Sequence, residues 1–348
     1  MALSIKFKLL GIEIELHWSF LLLILLISLS GGLDAALSAL MLFTFVVLHE
    51  LSHSIIAIRN GVEVRRITLF PIGGMAMIEE ISIPPDVELK LAIAGPIFNF
   101  IVVAIAFITR LFLTSEPFAS ILSAVIEINL ILGLFNLLPA IPLDGGRVWR
   151  SIQEKKVGHL KATEAAVKLS RFVIFILLFT SLVIALLTDV IGFLVWNTII
   201  AMVIYAASEA EFNLAVLKES AKGLYVRDAT NFSPLVIEPS LTIQDAFSLM
   251  LSLRSPAAVV SDFPVKVLSY RRISQVSKKS WGKVRVGSVA QPCPTCVLDE
   301  PILEAWKKMR LTELPLLPVV FKNEVIGTVE EIEVEKLIML NRLRMVGD

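Results

Sequence analysis

HELSH, residues 49–53, sets two histidines four positions apart with a glutamate directly after the first. On an α-helix, residues i and i+4 share a face, so His49 and His53 can reach one metal ion. Glu50 then stands about 100° round, beside the ion's open position. This is half of a hydrolytic zinc site, in which zinc acidifies a water and a neighbouring glutamate takes the proton. Catalytic zinc needs three protein ligands, so one is missing from the motif. Only two other histidines exist. His17, beside Trp18 where an apolar segment starts, reads as an interfacial anchor, and His159 lies in a Lys-rich stretch. Asp144 in NLLPAIPLDGGR, residues 136–147, is the better candidate: a carboxylate beside two glycines that let helices approach closely. Taken alone, the same residues also read as a turn in which the aspartate caps the next helix.

The elements that must position these residues are apolar. The motif sits inside AALSALMLFTFVVLHELSHSIIAI, and the 348-residue chain is 56% hydrophobic with a mean hydropathy of +0.79. Such a composition marks an integral membrane protein. An ionised side chain near the bilayer centre costs about 2.5–3.5 kcal/mol, so Glu50 between two histidines is an expensive arrangement unless something binds there. About 20 apolar residues cross the hydrocarbon, and that rule gives six spans near 16–30, 36–59, 88–113, 119–138, 171–187 and 190–207. Thirteen residues with several charges precede the first span, so it reads as a retained helix rather than a cleaved secretory signal. Lysines and arginines gather before span one and after spans two and four, and are absent from the alternate loops, which puts both termini in the cytoplasm. Lys plus Arg and Asp plus Glu both number 32, so no net field draws the chain to nucleic acid.

Within this frame, His49 lies about 10 residues, roughly 15 Å, from the cytoplasmic end of its helix, and water needs a polar route to it. Residues 67–78, ITLFPIGGMAMI, read as two short strand-like halves around Gly73 and Gly74. They could form a re-entrant hairpin that pairs with an extended substrate, or a plain interfacial loop. Asn136, one to two turns before Asp144, is a candidate for orienting substrate or for an interhelical hydrogen bond. Gly95-Pro96 and Asn99 are read as close packing, a kink and an interhelical hydrogen bond, without chemistry. Glu127, in span four, is the other acid inside a span.

Beyond residue 208 the pattern becomes that of a soluble α/β domain with an internal repeat. VRDATNFSPLVIEPSLTIQDAFSLM from Val226 aligns with VGSVAQPCPTCVLDEPILEAWKKM from Val286, matching Ile243 to Ile302, Ala246 to Ala305 and Met250 to Met309. The domain boundaries that follow are 1–207 for the membrane part, 208–225 for a linker, and 226–285 and 286–348 for the two repeats. Cys293 and Cys296 form one CPTC pair without a second pair to complete a zinc site, and are read as loop cysteines.

The repeats resemble a CBS-domain pair, a cytosolic module that often senses adenine nucleotides. Where that family places Ser or Thr and, three residues on, Asp for ribose and phosphate, the second copy has Glu330 and Glu333 and the first has Ser269 and Arg272. Two acids repel a phosphate, which leaves open both a nucleotide sensor and a dimerising or substrate-docking module. HELSH in an apolar helix, AGPIFN at 94–99 and NLLPAIPLDGG at 136–146 together resemble the site-two proteases, intramembrane zinc metalloproteases, in the branch with C-terminal CBS domains. The resemblance implies a polytopic α-helical membrane protein of about six transmembrane helices with a C-terminal cytosolic α/β CBS-domain pair. It implies one Zn2+ per chain held by His49, His53 and Asp144, Glu50 as general base, and a membrane-anchored protein as substrate. A CBS-regulated ion channel or transporter is the competing class, and would spread its ionisable residues along a conducting path over several helices.

Overall fold

The computed structural model describes residues 4–9, 11–62, 64–70, 73–78, 83–188, 190–262, 264–322 and 324–346. By its contacts the chain falls into two compact units, Met1–Ala215 and Val216–Asp348.

The first unit opens on strands β1 (Ser4–Leu9) and β2 (Ile12–His17). SIKFKL and IEIELH alternate apolar with charged residues at the period of a strand, and Gly11, at φ +86°, supplies the turn between them. Lys6 stands opposite Glu15 in the register and reaches Glu13 at 3.2 Å. The charged lead-in to the expected first span is thus a hairpin, and the helix starts at Trp18 rather than at residue 16. His17 caps that helix through Nδ1, which accepts from the Ser19 amide, rather than serving only as an interfacial anchor.

Helix α1 (Trp18–Arg59) holds 42 residues, which unbroken would run about 63 Å, twice the hydrocarbon thickness. Gly32, at φ 72° and ψ −166°, interrupts it, so the first two expected spans occupy one element with a break between them. Strand β3 (Val64–Phe70) pairs parallel with β2, and β4 (Gly73–Ile78) pairs antiparallel with β3. Pro71 and Ile72, at the centre of the expected hairpin, lie outside the described residues. The sheet order is β1-β2-β3-β4, so β4 forms an edge. Ile12, Leu51 and Ile67 share a small core between this sheet and the HELSH turn of α1.

Helices α2 (Pro85–Phe112), α3 (Phe118–Asn136), α4 (Asp144–Val157), α5 (His159–Thr188) and α6 (Ile191–Ser220) complete the unit. Among the described residues five helices are long and apolar enough to cross a membrane: α1, α2, α3, α5 and α6. With α1 broken at Gly32 they account for the six expected segments. Residues 208–220, expected as linker, continue α6 as helix.

The second unit contains β5 (Thr230–Asn231), β6 (Val236–Ile237), α7 (Ile243–Ser252), β7 (Ala257–Val260), β8 (Lys266–Ser269), α8 (Tyr270–Ser274), β9 (Gln291–Pro292), α9 (Ile302–Thr312), β10 (Leu316–Phe321), β11 (Glu324–Glu330) and α10 (Glu331–Val346). Ile243, Ala246 and Met250 on α7, like Ile302, Ala305 and Met309 on α9, are buried, as the apolar period of each repeat requires. The repeats exchange their leading strands: β5 of the first completes the sheet β10-β11-β5, and β9 of the second completes β6-β7-β8-β9. Cys296 lies in the second repeat's core, and burial pushes its thiol up to about 12.

Candidate metal centre

Each functional side chain owes its place to a local feature of the sequence. His49 and His53 lie one turn apart on α1 and are both buried, with ring centroids 4.7 Å apart. Asp144 is the first residue of α4, where the positive end of the helix dipole favours a carboxylate. It caps nothing, since the N-cap is Leu143, so the reading of Asp144 as a helix cap does not hold. The two glycines after it are sterically required: a Cβ at Gly145 would run into the Leu137 carbonyl, and one at Gly146 into the Ala140–Ile141 backbone. Ser170 on α5 braces the same bend through its hydroxyl, which accepts from the Ile141 amide at 2.8 Å.

The bend carries Asp144 across to α1. Its Oδ2 lies 3.1 Å from His49 Nε2 and 3.3 Å from His53 Nε2, all three side chains buried. Tetrahedral zinc at about 2.0–2.1 Å from nitrogen and oxygen donors sets those donors about 3.3 Å apart. The protonation pattern favours a cation as well. His49 Nδ1 donates to Asn99 Oδ1 at 2.5 Å and His53 Nδ1 donates to the Leu91 carbonyl at 2.6 Å. With protons on Nδ1, the Nε2 atoms of neutral imidazoles face the Asp144 carboxylate with lone pairs, and a metal ion between them would be coordinated by all three. The donor set fits zinc.

Glu50 is half-buried beside the pair, and its carboxylate makes no hydrogen bond to a described residue. The ligand atoms of His49, Glu50 and His53 lie within 4.8 Å of one another. Asn136 is half-buried at the end of α3 and donates to the Leu132 carbonyl of its own helix at 3.0 Å. Gly73 and Gly74 open β4, opposite Phe70 and Leu69 of β3.

Two residues of AGPIFN belong to the site although nothing in their own segment assigns them chemistry. A Cβ at Gly95 would stand 2.5 Å from His49 Nε2 and collide with His53 Nε2, so α2 can lie against the imidazoles only with glycine there. Asn99, one turn on, is the hydrogen-bond partner of His49. The available signal was spacing: Gly95 and Asn99 are four residues apart and therefore on one helix face.

The model for peptidase family M50 matches residues 37–127 and 113–180. A zinc metalloprotease of Methanocaldococcus jannaschii is 35% identical over 253 residues, covering 70% of this chain and 71% of the relative. The chain belongs to peptidase family M50. It is a membrane-embedded metalloprotease, and the family's zinc chemistry agrees with the donor set above. Among solved structures, a site-2 protease from the same organism is similar over 60% of this chain and 95% of that one, at 36% identity and a TM-score of 0.46. The CBS-domain protein ATU1752 of Agrobacterium tumefaciens is similar over 33% of this chain and 96% of its own, at 16% identity and a TM-score of 0.31.

Proposed function

We propose that this metalloprotease hydrolyses peptide bonds within or near the transmembrane segments of membrane-anchored proteins, with His49, His53 and Asp144 as zinc ligands. The observation that carries the reading is the meeting of Asp144 Oδ2 with two Nε2 atoms at 3.1 and 3.3 Å, on a helix apolar enough to cross a bilayer. Bound zinc would supply a Lewis acid and a water acidified toward pKa about 7. Glu50, whose carboxylate makes no hydrogen bond to a described residue, takes the proton of the attacking water and hands it to the leaving amine. A substrate helix must unwind before its carbonyl is accessible. The edge strand β4, opened by Gly73 and Gly74, suits pairing with the unwound segment. Asn136 keeps one amide proton and its Oδ1 beyond the bond to Leu132, and these orient substrate backbone. The ion-transport alternative gains no support from Glu127, which is exposed on α3.

The basic loops support cytoplasmic termini and release of products on that side. For the C-terminal pair, docking of substrate or of a second copy is favoured over an adenine nucleotide. Burial, with Glu333 nearby, pushes the Glu330 carboxyl up, and an acidic pair at that position disfavours phosphate.

The test is cleavage of a membrane-tethered reporter by the purified full chain in proteoliposomes. Glu50→Gln is expected to lower the rate by about 10²–10⁴ with zinc retained. Cleavage at the native rate by this variant would remove Glu50 from the reaction.

A further inference from the structure

His49 can bind a metal through Nε2 only if its proton sits on Nδ1, and the partner of Nδ1 is an amide side chain whose two ends have nearly the same shape. Turned over, Asn99 would present its NH2 group to Nδ1, leave the proton on Nε2 and close His49 to the metal. His53 faces no such choice, because its partner is the Leu91 carbonyl, which can only accept.

We propose that Asn129 is a positioning residue for the metal centre, holding the Asn99 amide in the single orientation that leaves His49 Nε2 free to coordinate. The inference rests on the zinc reading above. Asn99 Nδ2 donates to Asn129 Oδ1 at 2.8 Å, and Asn129 Nδ2 donates to the Val125 carbonyl at 2.9 Å. A backbone carbonyl accepts and never donates, so it fixes Asn129, which fixes Asn99, which fixes the proton on His49. The chain of bonds has one direction, from α3 through α2 to α1. Both asparagines are 0% exposed, so water cannot substitute for either. Gly133, one turn beyond Asn129, brings the helices close enough: a Cβ there would come within 3.2 Å of Phe100 and 3.4 Å of Asn99 Cβ.

The experiment is a mutant cycle in the detergent-purified full chain, with Zn2+ affinity read by competition with a chromogenic chelator. Asn129→Leu is expected to weaken zinc by about tenfold or more, within the 10–100-fold typical of residues that orient a ligand. Asn99→Leu, which removes the amide that Asn129 holds, is expected to weaken zinc by about the same factor, since it takes the acceptor from His49 Nδ1. In the Asn99→Leu background, Asn129→Leu is expected to shift affinity by less than about twofold, because no amide is left to misplace. An equal loss in both backgrounds would assign Asn129 to packing and overturn the proposal, as would an unchanged affinity in Asn129→Leu alone. Thermal unfolding of the metal-free proteins reports folding separately. If Asn129→Leu does not fold, Asn129→Ala takes its place with the same loss of about tenfold expected; an unchanged affinity there overturns the lock. Native protein that binds no zinc would instead refute the metal site itself.

Discussion

The N-terminal unit buries His49, His53, Asn99, Asn129 and Asp144 among its apolar helices, whereas the C-terminal unit is built around Ile243, Met250, Ile302 and Met309, with its charges at the surface. In water-soluble folds a core of apolar side chains supplies most of the stability. Within helices that face lipid, burying polar groups has no such return, and each must be matched by a partner. His49, His53 and Asp144 converge on one point, where a cation could be coordinated. The difference concentrates the metal-ligating side chains in the first unit.

Charge gives the largest contrast. Arg150 on α4 is buried and donates to Glu88 of α2 and to Glu211 of α6, the latter at 2.6 Å, while Ser151 also bonds Glu88. Arg310 in the second unit pairs with Glu331 and Glu335 at 2.9 and 2.8 Å but is exposed. Arg150→Met is expected to destabilise the N-terminal unit by about 3 kcal/mol, the lower end of the range for orphaning a buried charge, since Arg147 stays 3.7 Å from Glu88. Arg310→Met is expected to cost about 0–1 kcal/mol. Equal melting shifts in the two variants would erase the contrast.

A smaller effect is expected from one methyl group. Gly95→Ala forces a Cβ into the imidazoles, overpacking worth about 1–3 kcal/mol, and zinc affinity should fall roughly tenfold or more. A methyl group at Gly282, in the second unit, would meet nothing within 4 Å. Gly282→Ala should stay within about 0.5 kcal/mol with zinc binding unaltered. A Gly95→Ala protein that keeps native zinc affinity would show that α2 can withdraw from the site.

The smallest effect concerns the cysteines. Burial pushes both the Cys293 and Cys296 thiols up to about 12, so the thiolate is scarce near neutral pH and grows only as pH approaches that value. Native Cys296 should resist maleimide at pH 7 and react after denaturation. Rapid labelling of the folded protein would mean that the second unit's core is open.

The metal-ligating types and their spacing were legible because His, Glu and Asp are rare in apolar helices and each stands out in the sequence. Asn99 and Asn129 were not, because their meaning depends on α2 and α3 lying side by side, a tertiary fact absent from either segment. β1 and β2 were legible in the alternation of SIKFKL and IEIELH, yet the same lysines serve equally well as a topology signal, and only the pairing of Lys6 with Glu15 decides the matter. The exchanged strands β5 and β9 are two residues each, too short to carry a period.

Zinc-edge X-ray absorption on the purified, zinc-loaded full chain tests the account most directly. Coordination by His49, His53 and Asp144 predicts a nitrogen and oxygen shell at about 2.0–2.1 Å with the multiple scattering of two imidazoles, and no sulfur. A sulfur shell at about 2.3 Å would place the metal at Cys293 and Cys296 instead and contradict a centre built from α1 and α4.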